Sequence, residues 1–368
     1  MFYECGDLIA IHIPNSVITI GKEAFARCEY LTSDDIPGSV TSIGKCAFQE
    51  CTGLTSVVLP GSVTALGDYA FRECSNLTSL TIPNSIASIG ANPFACCKAL
   101  RNIVISPDHP RLQMIDGVLF SKPDKRLISY PCRFTASGYS IPQGVAIIGA
   151  SAFNGCTDLK TVAIPNSVTD IGDAAFNNCS RLTSIIIPDG VTAIGRWTFD
   201  GCASLTSVAI PSGVTAIGYA AFHDCAGLAS IAIPPSVASI DDHAFGHCSS
   251  LTSIDIPDGV ATVGIYVFSG CSSLTSITVP GSIDGISNWM FYGCGSLTSV
   301  AIRDGVTAIG CWAFLNCTDL TSIDIPASVK SIDKTAFSNC PRLTLTVGRG
   351  SLAEQFCVKN GMSYVYRE

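Results

Sequence analysis

The residues of this chain that could do chemistry are few in kind. Serines abound, but no histidine recurs at a matching spacing, so nothing predicts an activated hydroxyl nucleophile. Glycines recur too, yet never as a phosphate-cradling loop ahead of a helix. His223, His243 and His247 gather with Asp224, Asp241 and Asp242, and imidazole with carboxylate is a metal donor set. A solvated polar turn accounts for them as well and is the better reading. The strongest grouping is aromatic. Tyr69, Trp197, His243, Tyr266, Trp289 and Trp312 include all three tryptophans of the chain, and exposed Trp and Tyr are common interface anchors. These six are the candidate partner-binding residues. No catalytic residue, cofactor or bound metal is expected.

What positions them is a 23-residue unit, typified by Leu54 to Asn76, LTSVVLPGSVTALGDYAFRECSN. Numbered from its leucine, position 18 is phenylalanine in thirteen units, from Phe25 to Phe337, and cysteine follows three residues later each time. A fixed period of this length marks a solenoid, whose units bury their apolar sides only against one another. Leu-x-x-Ile-x-Ile alternates as a half-buried strand does, and the proline at position 7 ends it. Glycine or serine at position 9 and glycine at 14 mark turns, and Ala-Phe at 17 and 18 forms an apolar plug opposite the strand. The six aromatic candidates all occupy position 16, and equal positions of stacked coils form a row. Such a row is either packing laid over the plug or a ridge that binds protein or sugar.

The fold class expected is therefore a β-rich solenoid. Short parallel strands, one per coil, line the concave side, and Ala-Phe turns or short helices lie opposite. About fourteen coils at about 4.8 Å each would span roughly 65–70 Å as a single domain over residues 1–368. Residues 1–7 read as a partial first coil and 8–99 as four regular repeats. Residues 100–135 are an expanded coil in which Gly117–Pro131 forms a hairpin about a Pro-Asp turn. Residues 136–342 are nine more repeats, and 343–368 a cap with a helix stopped at Asn360-Gly361 and a final strand.

Fourteen of the nineteen cysteines share position 21, so they read as an inward ladder of reduced thiols. Cys46, Cys96, Cys132, Cys311 and Cys357 are out of phase and expected to be more accessible. The composition, 47% hydrophobic and 14% charged, contains no apolar run long enough for a membrane span. The net charge of −8, with scattered Lys and Arg, argues against nucleic acid and anionic membranes. No charged-then-apolar leader opens the chain, so it reads as either intracellular or a trimmed piece of a longer protein.

The consensus Leu-x-x-Ile-x-Ile-Pro-x-x-Val-x-x-Ile-Gly-x-x-Ala-Phe-x-x-Cys resembles the BspA-like class of leucine-rich repeats, known from bacterial surface antigens and protists. The insert and the Gly-Ser…Ala-Glu…Asn-Gly ending are similar to features of that family. The resemblance implies a right-handed leucine-rich-repeat superhelix and a non-enzymatic adhesion or recognition role at the cell surface or outside the cell. Its partner would be a protein or a glycan. The alternative is an intracellular scaffold for protein–protein interaction.

Overall fold

The computed structural model describes residues 2–32, 35–132, 134 and 137–368. Met1, Thr135 and Ala136, where the opening coil, the end of the expanded coil and the next repeat were expected, lie outside the described residues. The chain forms two compact units, Met1–Ser180 and Arg181–Glu368. Both are parallel-strand solenoids.

In the first unit each coil hydrogen-bonds to the next along three lines. The expected strands form one: Ser56–Val58, Ser79–Thr81 and Asn102–Val104 pair in parallel with a register of one repeat. A second line, unforeseen from the sequence, joins the two-residue strands Thr19–Ile20, Ser42–Ile43, Ala65–Leu66 and Ser88–Ile89. It forms because position 13 points inward while position 12 faces outward, the two-residue alternation of a strand. The third line runs through the turns. There the N–H of Phe48 donates to the Ala70 carbonyl at 2.7 Å, and that of Phe71 to Pro93 at 2.8 Å. This pairing holds the position-18 rings in a stack, with Phe25, Phe48 and Phe71 at successive centroid spacings of 5.2 Å.

The turn line explains two positions. Gly67 was read as a turn residue, but its φ is not positive, and what it meets is backbone. A Cβ there would lie 2.6 Å from Gly44 C and Lys45 N. The left-handed residues are instead those at positions 16 and 20, such as Tyr69 (φ 58°) and Glu73 (φ 61°). Their conformation aims the N–H groups of 16, 18 and 20 at the next coil. Tyr69, Phe71 and Glu73 all donate to the following repeat, at 3.1, 2.8 and 2.9 Å.

The expanded coil carries the expected hairpin, Val118–Ser121 against Arg126–Ser129, with Pro123-Asp124 in its turn. A further strand, Leu112–Ile115, precedes it and pairs antiparallel with Val118–Ser121. Buried His109 anchors that strand: its Nδ1 accepts from the Arg111 and Leu112 N–H groups (3.2 and 3.0 Å), and its Nε2 donates to the Pro83 carbonyl (3.1 Å). Arg126–Ser129 then rejoins the second line through Leu127 opposite Ile148. Tyr130 takes the place of the plug phenylalanine, its N–H on Ala152 O (2.9 Å) and its ring 5.1 Å from Phe153.

The second unit repeats the pattern. Ser276–Val279, Ser299–Ile302, Ser322–Asp324 and Thr344–Val347 form its longest run of first-line strands. Its phenylalanine stack runs from Phe199 to Phe337. The cap helix Leu352–Asn360 starts at Ser351, whose hydroxyl accepts the Glu354 N–H, and stops at left-handed Gly361. Tyr364–Tyr366 closes the sheet.

The repeated cysteines point inward, and the hydrogen bonds show why the residue is cysteine. The Phe25 carbonyl accepts the Cys28 N–H of its own coil at 3.2 Å and the Cys51 thiol of the next at 3.0 Å. The same pair of donors meets Phe48, Phe222 and Phe268. A small apolar side chain with a weak donor fits a site that valine would leave one bond short. Two accessibility expectations fail. Cys46 is buried beside the turn line, and Cys357 is buried on the inner side of the cap helix, whereas in-phase Cys5 is exposed because no described coil covers it.

Burial pushes the Cys51 and Cys271 thiols up to about 12. Cys5, at the open end of the ladder, is exposed instead. Iodoacetamide at neutral pH should therefore label exposed Cys5 first, since the thiolate is the nucleophile and must be reached by the reagent. Cys51 and Cys271 should label only in denaturant, where all nineteen cysteines react without reductant. Peptide mass spectrometry reads this directly, and labelling of Cys271 at the rate of Cys5 would contradict the ladder.

Candidate functional site

In the second unit, position 16, completed by Tyr219 from position 15, builds a ladder of rings. Trp197, His243, Tyr266, Trp289 and Trp312 are all left-handed, with φ between 50° and 57°. Backbone bonds to the next coil fix four of them: Trp197 N–H to Tyr219 O (2.8 Å), His243 to Ile265 (2.9 Å), Tyr266 to Asn288 (3.2 Å) and Trp289 to Cys311 (3.0 Å). The rings follow at the coil pitch. His243 to Tyr266 is 4.7 Å, Tyr266 to Trp289 4.8 Å and Trp289 to Trp312 5.1 Å, all face to face. The row continues through Tyr219, tilted on His243 at 5.6 Å, to Trp197, set edge-on to Tyr219 at 5.1 Å. The Arg196 guanidinium lies over both of these rings, at 5.2 and 5.5 Å.

The side chains are neither core nor free. Trp197 and Trp312 are exposed (39% and 37%), and the four rings between them are half-buried. The backbone conformation of Trp197, Tyr266, Trp289 and Trp312 is unusual for such residues, since a left-handed bulky side chain costs roughly 1–3 kcal/mol. In the second unit position 20, equally left-handed, takes residues that tolerate it, among them Gly201, Gly270, Gly293, Asn316 and Asn339, although the first unit places Arg27, Glu50 and Glu73 there. Position 16 takes neither glycine nor asparagine among its left-handed described residues. Local preference therefore does not account for the rings.

Tyr69 lies in the first unit and takes its contacts there. Its hydroxyl is 3.3 Å from Ser151 Oγ, and Lys45 and Arg72 approach its ring at 6.0 Å. Tyr219 went unnoticed in the sequence because it occupies position 15, one residue ahead of the row.

The histidines converge beside the ladder with Asp224, one of the three aspartates expected, and with Asp200 in place of Asp241 and Asp242. His223 Nδ1 lies 3.0 Å from Asp200 Oδ1 and 3.3 Å from Asp224 Oδ2. The His247 ring is 5.3 Å and the His243 ring 5.9 Å from that of His223. Asp241 and Asp242 are engaged elsewhere, Asp242 Oδ1 accepting the Ile265 N–H at 2.7 Å and Asp241 Oδ1 the Asp242 N–H at 2.8 Å. Asp200 was legible in principle, since it stands one repeat before His223 and so occupies the same position of the adjacent coil. Its hydrogen bond raises the His223 pKa against the effect of burial, with Asp224 adding to the rise. Burial and the neighbouring His223 lower that of His243.

Comparison with known proteins follows the same lines. A family model described as the BspA type leucine rich repeat region matches residues 1–122, 130–252 and 238–353. A leucine-rich repeat protein from Bacteroides ovatus is similar over 99% of this chain and 85% of its own, at 27% identity and TM-score 0.53. A leucine rich cell surface protein from Faecalibacterium prausnitzii matches 94% of this chain and 86% of its own, at 28% identity and TM-score 0.53. A leucine-rich repeat protein from Eubacterium ventriosum shares the fold at 23% identity and TM-score 0.58, over 90% of this chain and 82% of its own. No curated protein sequence matches. Among the described residues no helix is long and apolar enough to cross a membrane.

Proposed function

Because the chain belongs to the BspA-type leucine-rich-repeat family, we propose that it is a non-enzymatic recognition module of the adhesin kind, secreted or displayed at a cell surface, whose partner is a protein lying along the Trp197–Trp312 ladder. The repeat family and fold are those of protein-binding scaffolds, and one structural relative is described as a cell surface protein. The observation that carries the reading is the row of half-exposed rings held in a backbone conformation that disfavours them.

The stacking also bears on the ligand. His243, Tyr266 and Trp289 spend their faces on one another, and a sugar stacks on an open face. What remains is a band of ring edges with indole N–H and phenol O–H groups, which suits an extended apolar peptide segment better than a glycan. The alternative, an intracellular scaffold, draws support from the thiol ladder, because reduced cysteines in number are usual in reducing compartments.

Peptides displayed on phage and selected on the full chain supply the test. Trp289→Ala with Trp312→Ala should weaken the selected peptides at least about thirtyfold, about 2 kcal/mol, with the circular dichroism spectrum unchanged. Unchanged affinity in the folded double variant would place the site elsewhere; unfolding would mean that the rings are packing.

A further inference from the structure

We propose that Asp200, His223 and Asp224 form a binding site for a divalent transition metal of the zinc type, with the His247 imidazole beside it. The four lie on two adjacent positions of three successive coils. Asp200 and His223 are both at position 19, one coil apart, and Asp224 and His247 both at position 20.

The distances fit an ion. Bonds of about 2.0–2.1 Å arranged tetrahedrally put neighbouring ligand atoms roughly 3.3 Å apart. The structure has Nδ1 of His223 at 3.0 and 3.3 Å from the two carboxylate oxygens. One ligand atom each from Asp200, His223 and Asp224 falls within a 4.8 Å cluster. Two carboxylates balance the charge of a divalent ion. Imidazole among the ligands favours zinc, nickel or copper over magnesium and calcium, which prefer oxygen alone.

A second feature, independent of the ligands, keeps the space open for them. The imidazoles lie over glycines of the following coil. A Cβ on Gly246 would stand 2.9 Å from His223 Cδ2, and one on Gly270 would stand 2.6 Å from His247 Nδ1. Any side chain at either position would push the imidazole from its place. Asn339 and Asn316 show that position 20 accepts a side chain elsewhere.

Cobalt(II) added to the full chain after chelator treatment tests the proposal, because its spectrum identifies its ligands. One equivalent should bind with visible d–d bands and no near-ultraviolet thiolate charge-transfer band, and zinc should displace it. His223→Ala should weaken binding by more than about tenfold, the least that loss of an outer partner costs, and a direct ligand counts for more. Asp224→Asn should do the same. Since that carboxylate is largely exposed, this variant keeps the fold even if His223→Ala does not. No binding, thiolate bands, or affinity unchanged in Asp224→Asn would each overturn the site. The titration uses no protein partner, so it can fail while the ladder stands.

Discussion

Phe245→Ala should destabilise the second unit by about 3–5 kcal/mol, the usual cost of truncating a fully buried phenylalanine. Its ring is closed off from solvent and stacked between Phe222 at 5.4 Å and Phe268 at 5.7 Å. Alanine leaves the backbone line intact, so the Phe245 carbonyl can still receive the Cys248 N–H and the Cys271 thiol. What is lost is apolar volume, together with two ring contacts worth about 0.5–1.5 kcal/mol each. The cavity cannot collapse, because the coils above and below are held at the hydrogen-bonded pitch. Phe2→Ala is the control. Phe2 stacks on Phe25 alone and is 40% exposed, so its loss should cost less than about 1 kcal/mol. Urea unfolding followed by circular dichroism measures both, and equal midpoints would show that the plug is not the main source of stability.

Gly67→Ala and Gly61→Ala should change stability in opposite directions. A methyl group on Gly67 would lie 2.6 Å from two backbone atoms of the preceding coil, which cannot turn aside as a flexible side chain can. The coils would have to part where the Gly67 N–H donates to the Ile43 carbonyl at 2.8 Å. The expected loss is about 3 kcal/mol, the upper part of the range for overpacking. Gly61 has nothing within 4 Å of the same position and no positive φ, so alanine there should stabilise by about 0.4–1 kcal/mol through the unfolded chain. Thermal melts of the two variants decide the matter. If both lower the melting temperature equally, close approach is not what holds glycine at Gly67.

Much of this fold was legible because its long-range contacts are short-range in phase. Every Phe of the plug touches a Phe one repeat away, so counting residues was enough to place Phe222 against Phe245. The strands at positions 3 to 5 and the cap helix followed from local pattern, and so did the hairpin in the insert. What escaped depends on geometry finer than phase. The strands at positions 12 and 13 are two residues long, too short for alternation to be noticed. The left-handed backbone at position 16 is invisible when the residue is Trp or Tyr, since nothing in those side chains announces it. Tyr130 replaces the plug phenylalanine only after the insert has broken the count. Cys46 and Cys357 are buried although out of phase, Cys357 because the cap helix turns it inward, so phase alone does not decide burial. At the candidate site the sequence located the aromatic row, but not that its rings would face one another. It also grouped the histidines with aspartates close in the chain, while the coil geometry favours Asp200, one repeat away.

The doubled use of phenylalanine carbonyls such as those of Phe25 and Phe222 bears on how such a protein can change in length over evolutionary time. Within a unit, the partners of a coil stand at fixed offsets, 23 residues away for Thr52 on Glu29 and 26 for the Cys51 thiol on Phe25. Unequal recombination that duplicates or deletes one whole repeat therefore returns every donor to an equivalent acceptor. A gain or loss of any other number of residues leaves thiols and amides facing the wrong neighbours on both sides of the event. Such a change survives where the surplus leaves the stack, as at Leu112–Ser129, where antiparallel strands take up the extra residues before Tyr130 restores the order of the plug. Related chains should accordingly differ in steps of whole coils, with odd-sized insertions confined to excursions of this kind.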